Sequence, residues 1–494
     1  MSRSFDLVLP EQLSRDLFLH LFSDGDEHGA VLSAGVVDTP RGLRLLAREL
    51  FIARDGIDYV AGRTGYRMLT ARFVAHHARH CRDQGLAYLA VHNHEGVDSV
   101  RFSDTDLASH QRGYPALLDI VNGPPVGALV FAERAVAGEL WIRIGDRIPL
   151  REGRVTGRSI ERLYPSPRKA PAHAESIYDR QARLLSDHGQ ELLCSTKVGV
   201  IGVGGVGSWV VANLAHLGVG EIVVADPDRI EATNLPRVLG ATRFQARTFL
   251  TRYGGRLERI GRRLATHKVK ISRRVAKRAR PRVAVDCSPS DIVDDATAQR
   301  FRDCDYIFLA ADTHQARCVF NALVHQFLIP GVQIGTKVQH NNDTDEIDDV
   351  FVNVRPVIPD FGCFWCAGLI DGRKLQLEAM SEDERRGQEY IDGAPAASVV
   401  TLNSVGVGLA VNDFLFAWTG LHPRNAERLR RHLRHYPREN RLLNRTPTER
   451  QPRCTDCAIS NGSRFARGDN WDLPTARSGR TKTNRRLRRS HASR

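Results

Sequence analysis

Three groups of residues in this 494-residue chain have types and spacings suited to chemistry. The first is Gly202-Val-Gly204-Gly205-Val-Gly207, with Asp226 nineteen residues beyond it. Glycines at 202, 204 and 207 allow a tight turn, close approach of backbone to a phosphate, and close packing of a following helix whose N-terminus offers N–H groups to an anion. An acid at the spacing of Asp226 can bond ribose hydroxyls. Asp226, Asp228, Asn234 and Arg237 fall within twelve residues, a polar set that suits chemistry on the phosphates better than the mere holding of a nucleotide. The second group is His92-Asn-His94 followed by Ser103 and Asp106. Histidines two apart on a strand share a face and can grip one ion, and Asp106 would be a third ligand, leaving a position for water to attack a carbonyl. The third group is Cys363-Phe-Trp-Cys366 with Cys454-Thr-Asp-Cys457, the pairs 88 residues apart. Four thiolates close a tetrahedral zinc completely, so this site would be structural, tying a distant loop back to its domain.

The elements that must position these groups follow from patterning. Val198, Val200 and Ile201 form the apolar run of a buried parallel strand, an apolar-periodic helix follows Gly207, and a second strand spans Glu221 to Ala225. CDYIFLAADTHQAR reads as another apolar strand ending in Asp312, with Arg317 on the next helix. An acid there lies on the ligand-binding edge of such a sheet and can also cap the helix. Residues 1 to about 150 mix short strands with one helix, Tyr66 to Gln84, and end in a strand pair, which predicts a compact α+β domain. Residues 151–175 are rich in Arg, Pro, Ser and Ala and read as a linker; 176–460 make the second domain; 461–494 lack apolar periodicity and read as a disordered basic tail. Met380 to Pro395 is polar, and ASVVTLNSVGVGLAVNDFLFAWTG after it reads as a buried helix.

The formal net charge of +14 is local. Arg243 to Arg282 holds fifteen Lys and Arg against Glu258 alone, and Gly462 to Arg494 holds ten against two acids, so the rest of the chain is acidic. The Arg-rich stretch 243–266 can bind nucleic acid or an acidic partner, or can simply be a solvated helical face. No long uncharged apolar run and no basic leader occur, so a cytoplasmic protein without a membrane span is expected. Cys194, Cys287, Cys304 and Cys318 lie in or beside apolar elements and are expected to pack.

His92, His94, Ser103 and Asp106 resemble the motif of the JAMM (JAB/MPN) zinc isopeptidases, although eight residues separate His94 from Ser103, one more than the usual pattern. The resemblance implies a peptidase domain with His92, His94 and Asp106 on zinc, Ser103 stabilising the oxyanion, and Glu27 as general base, with Glu49 as the alternative. Tyr178-Asp-Arg180-Gln181, the glycine loop with Gly205, Asp226-x-Asp228 and Asn234-Leu-x-Arg237 resemble the ThiF/MoeB and ubiquitin-activating superfamily over about 176–460. That implies an α/β, Rossmann-like domain with a mostly parallel sheet. It would use ATP and Mg2+ to adenylate the C-terminal carboxylate of a ubiquitin-like or sulfur-carrier protein. Asp226 would hold the ribose, Asn234 and Arg237 the phosphates and Asp312 magnesium, while Arg180 would reach as an arginine finger into the partner subunit of a homodimer. A phosphate-binding lysine is placed at Lys268, thirteen residues before Pro281, with Lys270 as fallback, the displacement reflecting an insertion after Arg237. The paired knuckles imply structural Zn2+, and the segment 380–395 corresponds to the one crossed by the substrate's tail. No cysteine lies between Cys366 and Cys454, so any thioester would form elsewhere, on a conjugating or sulfurtransferase partner or on an unassigned cysteine. Activation of a small molecule or tRNA base, and a non-catalytic nucleic-acid scaffold, are the alternatives.

Overall fold

The structure is a computed structural model that describes residues 3–60, 68–169, 171–173, 175–340, 346–380, 397–422 and 432–476. Two eight-stranded sheets carry it, and helices cover both.

The first sheet contains β1 (Phe5–Pro10), β2 (Gly29–Thr39), β3 (Gly42–Ile52), β4 (Ala87–Asn93), β5 (Val126–Ala132), β6 (Ala135–Arg143), β7 (Asp146–Thr156) and β8 (Ile160–Leu163), with α1 (Glu11–Leu21), α2 (Ala71–Gln84) and α3 (Asp104–Val121). Its order is β1-β3-β2-β4-β5-β6-β7-β8, and β1 pairs with β7 as well as β3, so the sheet closes on itself. One face buries Leu7, Leu32, Leu45, Leu89 and Phe131 beneath α1. The other buries Val31, Tyr88, Ala128 and Trp141 against Phe73 of α2 and Tyr114 of α3, so the strands carry the near-continuous apolar runs of a sheet covered on both sides. Two readings of the sequence need correction here. Residues 151–163 are not linker: β7 runs on to Thr156 and β8 follows. Their arginines obscured the strand pattern because Arg154, only 7% exposed, points inward. The helix expected from Tyr66 begins at Ala71, capped by Thr70, and residues 61–67 lie outside the described residues.

The second sheet has the order β11-β10-β9-β12-β13-β14-β15-β16. Its strands are β9 (Lys197–Ile201), β10 (Glu221–Ala225), β11 (Ala284–Ser288), β12 (Tyr306–Leu309), β13 (Gly331–His340), β14 (Ile347–Val357), β15 (His432–Tyr436) and β16 (Arg441–Arg445). The first five in that order are mutually parallel, and the last three add antiparallel. The helices are α4 (Asp179–Ser195, broken at Ser186), α5 (Gly207–His216), α6 (Thr248–Thr251), α7 (Gly255–Leu264), α8 (Lys268–Ala279), α9 (Asp295–Ala298), α10 (His314–Gln326), α11 (Gly372–Ala379) and α12 (Val400–Thr419). This is the mixed α/β, Rossmann-like arrangement with reversal at β9/β12 that places ligands at the carboxyl ends of the strands. By length and composition α12 could cross a membrane; here it lies on β13, β14 and α5 with Val407, Ala410 and Phe414 buried.

The two sheets share one core. Val8, Val37 and Leu46 from the first pack with Ile201, Phe301, Ile307 and Phe320 of the second, and Phe465 and Ala466 close the cluster. Residues 461–476 therefore do not form a disordered tail: Arg467 donates to Gln84 O and Gly468 N to Gln326 O, stitching the two sheets together. Residues 477–494, the remainder of the predicted tail, lie outside the described residues.

Candidate functional site

The histidine group is assembled at the end of β4. His92 and His94 alternate with Asn93 and share a face, their Nε2 atoms 3.2 Å apart. Asp106 Oδ2 lies 3.6 Å from His92 Nε2 and 3.3 Å from His94 Nε2. Zinc bonded at about 2.0–2.2 Å to each donor in a tetrahedral set requires separations of roughly 3.3–3.6 Å, so the donor set fits that ion. His94 Nδ1 bonds Arg101 O at 3.1 Å, which orients its ring and leaves Nε2 facing the triad. Ser103 caps α3 in a reciprocal box with Asp106, its hydroxyl 2.7 Å from Asp106 Oδ2. The extra residue between His94 and Ser103 thus leaves both within reach. Partial burial raises the Asp106 carboxyl, but hydrogen bonds with His92, His94 and Ser103 outweigh it and hold the group well below the ordinary carboxylate range.

Glu27 reaches the same spot, Oε1 lying 3.7 Å from His94 Nε2, and desolvation raises its carboxyl. The alternative, Glu49, is occupied elsewhere: its Oε2 accepts from Ser33 Oγ at 2.8 Å and meets His80 Nε2 at 2.9 Å.

The nucleotide cleft forms at the carboxyl ends of β9, β10 and β12. Gly202 has φ +84°, and a Cβ there would press on the Ala310–Ala311 peptide; a Cβ on Gly207 would run into Gly202 O. Both glycines are therefore dictated by the turn, while Gly204 faces open space. Asp226, at the end of β10, accepts Val203 N at 2.7 Å and Asp228 N at 2.9 Å, fixing the loop against the strand. Burial pushes its carboxyl up, against the opposing pull of Lys268 and these N–H donors. Lys268 opens α8 and bonds Asp228 Oδ2 through Nζ at 2.7 Å. Lys270, by contrast, is exposed on the same helix.

Asn234 is buried in a short turn, where its Oδ1 accepts Glu231 N at 3.2 Å. Arg237 lies along the glycine loop, and Trp209 Nε1 donates to its carbonyl at 3.2 Å. Asp312 is exposed just beyond β12, on the loop whose Ala310 N donates to Ile201 O, so it shares the cleft's edge. Arg317 is half-buried on α10, feels Asp312 and donates to Leu369 O at 3.2 Å. Arg180 is exposed in the first turn of α4, so within one chain it serves as surface.

Asn403 of α12 had no sequence signal: its Nδ2 stands where a Cβ on Gly205 would be, 2.7 Å away, and Thr336 Oγ1 donates to its Oδ1 at 3.3 Å. A long-range contact between an apolar helix and a loop has no local motif. The Arg-rich insertion folds as α6 and α7 between Arg237 and Lys268; it exposes Leu257, Ile260 and Leu264 beside its arginines. The crossing segment falls almost wholly in 381–396, outside the described residues.

The four cysteines converge, with Sγ separations of 3.4 Å (Cys363–Cys454), 3.5 Å (Cys366–Cys457) and 3.8 Å (Cys363–Cys366). Zinc at ~2.3 Å from each sulfur sets them about 3.8 Å apart, so the cluster fits a tetrahedral site. Asn321 of α10 clamps both knuckles, accepting Phe364 N at 2.8 Å and donating to Asp456 Oδ2 at 2.6 Å. Among the other cysteines, burial pushes the Cys287 and Cys318 thiols up to about 11 and raises Cys304 as well, which makes them poor nucleophiles.

Comparison with known proteins agrees with the second sheet. The chain is 41% identical over 64 residues to the tRNA threonylcarbamoyladenosine dehydratase of Bacillus subtilis, 13% of this chain and 25% of that protein. It is 49% identical over 53 residues to the SAMP-activating enzyme E1 of Haloferax volcanii, 11% of this chain and 20% of that protein. The chain thus spans about a quarter or less of the length of the curated relatives it matches. Among solved structures, E. coli MccB with succinimide is similar with a TM-score of 0.42 and 17% identity, over 57% of this chain and 75% of that one. The family model for the ThiF family matches residues 178–455, and the chain belongs to that family.

Proposed function

We propose that the chain adenylates the C-terminal carboxylate of a ubiquitin-like or sulfur-carrier protein, and that its first domain is a JAMM-type zinc peptidase acting on the same class of substrate. The observation that carries the first part is the cleft around the glycine loop, where Asp226, Asp228, Lys268, Asn234 and Arg237 gather at one edge of the sheet. In this reading Asp226 holds the ribose, and Asp312 holds the magnesium of MgATP. A carboxylate oxygen of the carrier forms a bond to the α-phosphorus, the bond to the β-phosphate oxygen breaks, and pyrophosphate leaves with both electrons of that bond. Lys268 and Arg237 stabilise the charge that gathers on the phosphates, the largest kind of term available to such a site. The name of the Haloferax relative, an E1 that activates SAMP, supports this reading.

In the first domain His92, His94 and Asp106 would hold zinc, which when bound supplies a Lewis acid for hydrolysis. Glu27 would take and return a proton at Oε1, and Ser103 Oγ would donate to the oxyanion. The domain division would be 1–163 for the peptidase and 176–476 for the adenylating part. A homodimer would use the exposed Arg180 in the neighbouring cleft, the protein would be cytoplasmic, and a conjugating or sulfurtransferase protein would take the product.

The test is MgATP–pyrophosphate exchange with a purified carrier protein ending in Gly-Gly. Exchange is expected only with the carrier and is expected to vanish with Asp312→Ala. A second reading, activation of a tRNA base, is favoured by the name of the Bacillus relative and by the Arg-rich insertion. Exchange driven by tRNA without any carrier would replace the first reading by the second. Salt-sensitive RNA binding with no exchange at all would indicate a nucleic-acid scaffold.

A further inference from the structure

At the amino ends of β9 and β12, the edge opposite the glycine loop, a cavity of about 610 Å3 opens between the two domains. Arg41, Arg151, Arg154, Arg162 and Arg168 line it together with Asp6, Glu152 and Asp305; Asp6 is taken by Arg151, and Arg168 pairs with Glu191. Its volume falls within the range of small-molecule sites, roughly 300–1,000 Å3.

The charges around it do not balance. Asp305 is already saturated: it accepts Arg41 Nη1 at 2.8 Å, Arg44 Nη2 at 3.1 Å, Arg154 Nη1 at 3.3 Å and Lys197 N at 2.9 Å. Three guanidiniums share that one carboxylate. Glu152 accepts Tyr164 Oη and lies 3.9 Å from Arg154 and 3.7 Å from Arg162. Arg41, Arg44, Arg154 and Arg162 thus share only Asp305 and Glu152 at ion-pair distance among the described residues, and a buried cation without a partner is heavily penalised. Burial and the neighbouring Arg154 push the Arg44 guanidinium down to about 10, as surplus positive charge should.

Donors are also in surplus. Among the described residues the Arg154 side chain makes one hydrogen bond and that of Arg162 one, to Trp418 O at 2.9 Å, although each guanidinium carries five N–H groups. Arg154 Nε is buried with no hydrogen-bond acceptor. The Trp418 ring fixes both guanidiniums, lying 5.2 Å from Arg154 and 4.4 Å from Arg162. A purely structural seam would pair such forks with carboxylates and fill the space with side chains; this one leaves forks and space together.

We propose that this cavity binds a small polyanion bearing phosphate or carboxylate groups, held by the forks of Arg154 and Arg162. Because its walls come from β7 and β8 on one side and from α4, β12 and α12 on the other, the bound anion would strengthen the seam between the domains. It is a separate site from the nucleotide cleft.

Calorimetric titration of the full chain with inorganic phosphate, pyrophosphate and citrate, at physiological salt, tests this and separates phosphate from carboxylate ligands. At least one of the three should bind saturably at a site that excess MgATP does not block, and raise the melting temperature. Arg154→Gln and Arg162→Gln should each weaken binding by about tenfold or more, Arg154→Lys should recover only part of it, and Asp226→Ala should leave it unchanged. Should a buried-arginine variant fail to fold, Arg168→Ala at the more exposed rim should weaken binding severalfold in a folded chain. No saturable binding of any of the three anions, binding indifferent to these arginines, or binding lost with Asp226→Ala would each overturn the proposal.

Discussion

Lys268 is held twice by Asp228, through its backbone N at 3.0 Å and its Nζ at 2.7 Å, and the Asp228 side chain is 63% exposed. A pair open to solvent on one side can exchange its carboxylate for a phosphate without reorganising the helix. Lys268→Ala should therefore slow carrier-dependent pyrophosphate exchange by ~10²–10³-fold with little change in melting temperature. Lys270→Ala should change the rate by less than about threefold, and equal effects would return the phosphate role to Lys270. The position of Lys268 was reached from the family resemblance, thirteen residues before Pro281, and the structure shows it opening α8 beside Asp228. The convergence of His92, His94 and Asp106 was legible from local features: strand alternation and a helix cap fix all three. Asn403 and Asn321 were not, since each meets its partners across the fold and no spacing announces them.

At the scale of elements, the two thiol pairs are joined through α10 rather than through a ribbon of their own. Asn321 holds Phe364 and Asp456, and Arg464 bonds Asp456 at 2.7 Å, so the second knuckle also anchors the segment that carries Phe465. Cys454→Ser should release one zinc equivalent per chain and cost about 3 kcal/mol, seen as a fall of about 3 °C in the melting temperature of a chain this long. His92→Ala should release a second equivalent while shifting the melt by less than about 1 °C, because the triad sits at a strand end and ties nothing distant together. Elemental analysis alongside calorimetry checks both; a single zinc lost only with Cys454→Ser would leave the histidine site without metal. The parallel strands β9, β10 and β12 were readable as apolar runs. β7, β8 and the segment 461–476 were hidden because their contribution is made by buried arginines and irregular backbone, which hydropathy scores as surface.

Over the whole molecule, the seam is both apolar and charged: the core cluster runs through it, and Asp305 sits at its centre with Arg41, Arg44 and Arg154. Division into two domains is thus a statement about sheets, not about stability, and the described chain should unfold in one transition with both sheets lost together. Burial alone would raise the Asp305 carboxyl, but the three guanidiniums overcome it and hold the group well below its ordinary value of 3.8. Because the folded value is the lower one, the unfolded chain binds the extra proton. Asp305 therefore contributes its full stabilisation above about pH 5, and that contribution drains away as pH falls through 4 towards the folded value. Asp305→Asn removes the charge, leaves three arginines facing one another, and should cost about 3–5 kcal/mol at pH 7. The melting-temperature gap between wild type and variant should stay constant from pH 7 to 5 and narrow steadily below 4.5, and the variant's single transition should split in two as the sheets uncouple. A gap that persists undiminished to pH 3 would mean that the carboxylate's charge is not what holds the seam.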